Sequence, residues 1–175
     1  MTPQYQTPEK IKLKFDAIIE PEDFWTGKKV LDIGCNEGLL LPLLELQEIG
    51  SYTGIDTSKE YIELAKKNFP EADFRLMDLF DWKEKIDIAI SLSTFHILDD
   101  KDFDKAIEHY SKLSTVLIME YPVKGTSPIY HTRTEEYTYK IVDKYFKHCL
   151  CYGISPSPHD PKSTRKVFKC WNVPE

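Results

Sequence analysis

Short, nearly pure apolar runs recur along the chain: Lys29–Ile33, Tyr52–Ile55, Asp73–Leu76, Ile86–Ser91 and Thr115–Met119. Between them lie stretches with helical period, at about 37–48, 58–68 and 101–112. Alternation of this kind predicts a parallel α/β sheet, and strands that are apolar throughout are expected to be central, covered on both faces. The helix after Ser58 has a serine cap, with Ile62, Leu64 and Ala65 above a polar face of Lys59, Glu63, Lys66 and Lys67. An N-terminal helix is predicted after Thr7-Pro8, where threonine caps and proline suits the first turn; Ile11, Phe15, Ile18 and Ile19 form its apolar face.

The pattern changes after Met119. A loop rich in Pro, Gly and aromatics, Tyr121–His131, leads to a helix from near Thr134 to about Lys144. Two further strands, Phe146–Tyr152 and Arg165–Trp171, flank a Pro-rich turn, which suits an antiparallel return. The expected architecture is a mostly parallel sheet with an antiparallel pair at one edge.

Composition narrows the class. The chain has 175 residues, 41% hydrophobic and 30% charged, as in an ordinary globular domain, and no apolar run approaches the ~20 residues of a membrane span. A single domain over 1–175 is expected, with an N-terminal helical segment (1–28), a core (29–119) and a remainder (120–175) carrying loop, helix and edge hairpin. The N-terminus is polar and lacks a secretory apolar stretch, so a cytoplasmic location is expected. Cys35, Cys149, Cys151 and Cys170 show neither a disulfide-framework spacing nor that of structural zinc; they read as free thiols, with no metal. Residues 1–112 hold 14 Lys and Arg against 23 Asp and Glu, and 113–175 hold 9 against 6. A net charge of −6 argues against general binding to nucleic-acid backbones.

The chemistry concentrates in Val30-Leu31-Asp32-Ile33-Gly34-Cys35-Asn36-Glu37-Gly38, an apolar strand ending in a glycine turn that opens a helix. Gly34 lets the backbone turn sharply beside a ligand, and free N–H groups with the following helix favour an anion. Asp32, two residues earlier, suits an ammonium group. A ligand with both groups is an amino acid moiety. A second strand ends at Asp56, placed to accept hydrogen bonds from both ribose hydroxyls, and a third acid, Asp78, follows the third strand, where it can accept from an adenine amino group.

These segments, LDIGCNEG, TGIDTS with YIELAKKNF, FRLMDLFDW and IDIAISLSTFHIL, together resemble the class I S-adenosylmethionine-dependent methyltransferases over residues 29–119. The resemblance implies a Rossmann-like three-layer sandwich with a seven-stranded sheet in the order 3-2-1-4-5-7-6, its last strand antiparallel. It implies S-adenosylmethionine as cofactor and S-adenosylhomocysteine as product. By position, Asp32 and Gly34 would meet the methionine part, Asp56 the ribose, and Asp78 with Leu79 the adenine. Cys35, Asn36, Thr57 and Ser91 complete the expected cofactor contacts. Asn36 stands where the family commonly has a second glycine, and asparagine tolerates unusual backbone angles better than most residues.

The acceptor is expected beyond the fourth and fifth strands. His96 is the candidate general base, needed only where the acceptor holds its proton near neutral pH. Tyr121, His131 and Arg133 are candidate substrate contacts. Tyr5 is a candidate cover over the cofactor. Ser91-Leu92-Ser93-Thr94 lacks the Asn/Asp-Pro-Pro-aromatic run of enzymes that methylate amino groups of nucleic-acid bases. With the acidic charge this favours a small-molecule or saccharide-like acceptor. Two other classes fit the same sheet: a cofactor-binding module without turnover, and a nicotinamide-dependent dehydrogenase. The sequence leaves the oligomeric state open.

Overall fold

A computed structural model describes residues 7–21, 23–124, 131–155 and 164–172. In chain order the elements are α1 (Pro8–Phe15), β1 (Lys29–Ile33), α2 (Leu41–Glu45), β2 (Ser51–Asp56), α3 (Lys59–Asn68), β3 (Asp73–Leu76), β4 (Ile86–Leu92), α4 (Asp100–Leu113), β5 (Ser114–Lys124), α5 (Glu135–Val142), β6 (His148–Ser155) and β7 (Thr164–Trp171). Single 3-10 turns occupy Leu79–Asp81 and Phe95–Ile97. The seven strands form one sheet in the order β3-β2-β1-β4-β5-β7-β6, as the resemblance implied. β1 to β5 pair in parallel, and β7 runs antiparallel to both β5 and β6.

Helices form where local signals placed them. Thr7 caps α1, accepting a hydrogen bond from the Lys10 amide, and Pro8 fills its first turn. Ser58 caps α3 through the Tyr61 amide, Asp99 caps α4 through the Asp102 amide, and Thr134 caps α5 through the Tyr137 amide. Strand alternation then divides the core into two layers. On one side Leu31, Ala89, Leu117, Met119 and Phe168 meet Phe103, Ile107 and Tyr110 of α4 and Val142 of α5. On the other, Val30, Ile88, Ile90, Ile118 and Val167 meet Ile11 of α1, Leu44 of α2, and Ile62 and Ala65 of α3.

Two expectations need correction. The helix expected at 37–48 shrinks to the five residues of α2, because Asn36 (φ 49°) and Gly38 (φ 78°) take left-handed backbone before it and Glu48 (φ 56°) takes it after. The expected loop from Tyr121 instead starts as strand: β5 runs to Lys124. Its pairing with β4 ends at Glu120, so Pro122 forfeits no ladder bond on that side, and a register shift follows it opposite β7.

Candidate active site at the strand ends

In parallel register, Ile33 lies beside Ile55 and Asp56 beside Leu76, so Asp32 and Asp56 at the ends of β1 and β2, and Asp78 two residues beyond β3, follow the C-terminal end of the parallel strands. Asp32 is buried and accepts a hydrogen bond from the Tyr52 hydroxyl at 2.8 Å. Burial pushes its carboxyl up to about 7, against the lowering effect of that hydroxyl, and Asp56 raises it further. A buried acid with one hydroxyl donor has acceptor capacity left for a cation. Beside it lies a cavity of about 10 Å³ lined by Ile11, Gly34, Asn36 and Leu92, room for about one water molecule.

The glycine turn is more self-contained than expected. The amides of Gly34 and Cys35 donate to the Ile55 carbonyl, that of Gly38 to the Cys35 carbonyl, and that of Asn36 to Oδ2 of Asp56 at 3.0 Å. Gly34 has a φ of 75°, and a Cβ there would lie 2.0 Å from Thr94 Oγ1, whose hydroxyl donates to the Ile33 carbonyl. The absent side chain thus admits Thr94 from the β4 side. The short α2 removes the expected N-terminal helix turn at Asn36. Cys35 is buried, and burial pushes its thiol far above the usual range.

Asp56 is half-buried, and its other oxygen accepts from the Ser58 amide at 2.8 Å, which fixes the carboxylate between the two loops. Thr57 is exposed at the same rim. Asp78 is exposed and caps the Leu79–Asp81 turn through the Phe80 amide; the half-buried Leu79 accepts at its carbonyl from the Tyr110 hydroxyl. Asp78 therefore fills a turn-capping role that leaves its remaining lone pairs facing solvent. Ser91 is fully buried on the α4 side, its hydroxyl without a hydrogen-bond partner among the described residues.

Beyond β4 the structure adds a polar group that sequence reasoning missed. Arg165 of β7 grips Glu120 of β5 with two bonds, Nε to Oε1 at 2.5 Å and one from its Nη2 to Oε2 at 2.9 Å. Ser93, at a φ of 67°, joins both: its hydroxyl donates to Glu120 at 2.9 Å and accepts from Arg165 at 2.5 Å. Burial alone would raise the Glu120 carboxyl, but the guanidinium outweighs it and holds the group below its usual value. Lys14 of α1 is buried on the same side of the sheet; burial pushes its ammonium down to about 8, opposed by Glu120 and reinforced by Arg165. The available signal was an acid in the apolar run of β5 and an opposite charge in β7. Their pairing across 45 positions is invisible to local pattern.

His96 is buried among these charges. Burial first, and Arg165 next, push its imidazole down to about 3, so it is neutral across the physiological range and a weak proton acceptor as it stands. Two expected substrate contacts are corrected. Tyr121 is fully buried, because β5 continues through it and alternation turns it inward with Met119; it stacks on Phe168 and shares a 2.5 Å bond with Thr138. Arg133 is buried and holds the Phe95–Ile97 turn to α4: it donates to the carbonyls of Phe95, Leu98 and His131, pairs with Asp100 at 3.1 Å, and lies over the Phe103 ring. His131 is exposed and anchored by its amide to the His96 carbonyl at 2.8 Å. Tyr5 and part of the 121–133 loop lie outside the described residues.

Comparison with known proteins agrees with the fold. Residues 30–115 match a family model described as a methyltransferase domain. A 64-residue stretch, 37% of this chain, is 38% identical to ubiquinone biosynthesis O-methyltransferase of Vibrio campbellii (strain ATCC BAA-1116) and covers 27% of that protein. The chain thus matches about a quarter of the length of such relatives. The fold of magnesium protoporphyrin IX methyltransferase from Synechocystis PCC 6803, solved with S-adenosylmethionine bound, superposes with a TM-score of 0.74 at 18% identity, covering 95% of this chain and 79% of that one. The [4+2]-cyclase SpnF has the same fold, with a TM-score of 0.74 at 12% identity, covering 96% and 82%. Strand order and the match over residues 30–115 converge: this part of the chain is similar to a methyltransferase domain, set in a fold shared with magnesium protoporphyrin IX methyltransferase.

Proposed function

We propose that this chain binds S-adenosylmethionine at the ends of β1, β2 and β3, and transfers its methyl group to a small-molecule or saccharide-like acceptor beyond β4, β5 and β7. The observation that carries the reading is the row of acids at successive strand ends, with Asp56 fixed by two amides and Asp32 buried with a single hydroxyl donor. Asp32 would hold the ammonium of the methionine part, Asp56 the ribose hydroxyls, and the rim at Asp78 and Leu79 the adenine. The cofactor, when bound, supplies a sulfonium-activated methyl group to a nucleophile in line with its carbon–sulfur bond.

The protein's part is alignment and exclusion of water. On the acceptor side the half-buried Ser93 lies in front of the buried Glu120–Arg165 pair, Lys14 and His96, polar groups that would suit a small acceptor with hydrogen-bonding groups. At its low proton affinity His96 acts as a neutral lining residue; it becomes a base only if an acceptor reshapes its surroundings. Relatives named for ubiquinone biosynthesis and for magnesium protoporphyrin IX support an acceptor of small-molecule size. We take residues 1–175 as one methyltransferase domain working in the cytoplasm. Among the described residues no helix is long and apolar enough to cross a membrane.

Titration calorimetry with S-adenosylmethionine, S-adenosylhomocysteine and NAD tests the assignment. The first two should bind, and Asp56→Ala should weaken them by about 1–3 kcal/mol, the cost of leaving buried hydroxyls without partners. Binding of NAD alone would transfer the chain to the dehydrogenases. The same fold in a protein named a [4+2]-cyclase supports an activity other than methyl transfer, and so keeps in view the second reading, a cofactor-binding module without turnover. Conversion of bound cofactor to S-adenosylhomocysteine with candidate acceptors decides between the two.

A further inference from the structure

Away from the crevice, at the sheet's outer edge, the β6–β7 hairpin places Cys149 directly opposite Cys170, with their sulfurs 3.1 Å apart. Directly opposed antiparallel residues have Cα atoms about 4.5–5.5 Å apart, inside the span a disulfide needs. A disulfide's sulfurs lie about 2.05 Å apart, so bond formation asks for about 1 Å of approach with no slip of register. Cys151 shares the β6 face with Cys149 but stands opposite Phe168, about 6.8 Å further along the strand. The sequence spacing of these cysteines carried no such signal, because the pairing depends on hairpin register.

We propose that Cys149 and Cys170 are a redox modification site, a dithiol that a hydroperoxide converts to a reversible cross-strand disulfide. Cys170 is fully buried and Cys149 is half-buried, so peroxide reaches Cys149 first. The Cys149 sulfur attacks one peroxide oxygen, the O–O bond breaks, and with hydrogen peroxide one water leaves as Cys149 becomes a sulfenic acid. The Cys170 sulfur then attacks the Cys149 sulfur; the S–O bond breaks, and a second water leaves with the Cys170 proton. The two cysteines lose two electrons and two hydrogens, and the peroxide is reduced to two waters. A cysteine 3.1 Å away captures the sulfenic acid before a second oxidant molecule arrives. The bond closes a loop between residues 21 positions apart, which restricts the unfolded chain and raises the thermal midpoint by several degrees.

The test treats the folded full chain with hydrogen peroxide, then unfolds it in an alkylating agent and maps the peptides. The expected product has lost the mass of two hydrogens, contains one cross-linked peptide pair joining Cys149 to Cys170, and returns to four alkylatable thiols with dithiothreitol. Cys151→Ser and Cys35→Ser should leave that product unchanged, and Cys149→Ser should abolish it. Cys149 is half-buried, so its serine variant keeps the fold, and a thermal melt verifies this. Four thiols still open to alkylation, a sulfinic acid at Cys149 beside an intact Cys170, or a link to Cys151 would each overturn the proposal. None of these readouts depends on cofactor binding, so the result stands apart from the methyltransferase assignment.

Discussion

Asp32 shows how one buried side chain ties stability to pH. Its carboxyl sits at about 7 in the fold against an ordinary value of 3.8, so between about pH 4 and 7 the folded state holds a proton that the unfolded chain gives up. Stability therefore falls across that window and the full cost is present above it. If Asp32 holds the ammonium as proposed, that charge reverses this by favouring the ionised form, so binding of S-adenosylhomocysteine should release a proton and tighten as pH rises toward 7. Asp32→Asn keeps an acceptor for the Tyr52 hydroxyl but carries no charge. We expect this variant to melt higher than the native protein above pH 7, and to bind S-adenosylhomocysteine more weakly without the pH slope. Calorimetry at pH 5.5 and 8 (about one and a half units below and one above that value) checks both; an unchanged slope would remove Asp32 from the ammonium site.

At the scale of elements, β5 and β7 are joined by a buried ion pair as well as by their ladder. Arg165→Met should cost about 3–5 kcal/mol, because it strands the Glu120 charge in the interior. Replacing Glu120 as well, in the Glu120→Gln/Arg165→Met pair, should return part of that loss, since the stranded charge goes with it. Urea unfolding of these two variants and of Glu120→Gln checks this, and a double-variant loss equal to the sum of the single losses would mean the pair is not the source. Glu120 is held below its usual value of 4.5, so its contribution is complete above that value and disappears as pH falls through the folded one. This network was not legible in the sequence, whereas the strands around it were. Runs such as IDIAISL and TVLIME declare themselves by composition, and Thr7, Ser58 and Thr134 declare their helices by capping chemistry. Tyr121 and Arg133 misled because aromatic and basic residues in a presumed loop resemble ligand contacts; only strand continuation and three waiting carbonyls reveal their structural work.

Across the whole molecule, α1 is the element that covers the sheet beside Asp32. Ile11 closes the cavity beside Asp32 and Gly34, and Lys14 reaches the buried charges beyond β5. The chain after α1 is clipped to the sheet at Glu20, which pairs with Lys169 at 2.8 Å and accepts from the Tyr152 hydroxyl at 2.7 Å. The sequence predicted this helix and its apolar face but not its seat, because amphipathicity states that a face is buried and not against what. If the methionine part enters beside Asp32, as proposed, a space of about 10 Å³ must widen, and Ile11 of α1 is one of the residues lining it. Saturating S-adenosylhomocysteine should therefore speed amide exchange in Pro8–Phe15 and slow it in β1 and β2. At a hundredfold excess over Kd it should also add about 2.7 kcal/mol to stability, read as a rise of several degrees in Tm. If Tm rises while α1 exchanges more slowly, the helix closes over the cofactor instead of yielding to it, and the cavity beside Asp32 is not where the methionine part enters.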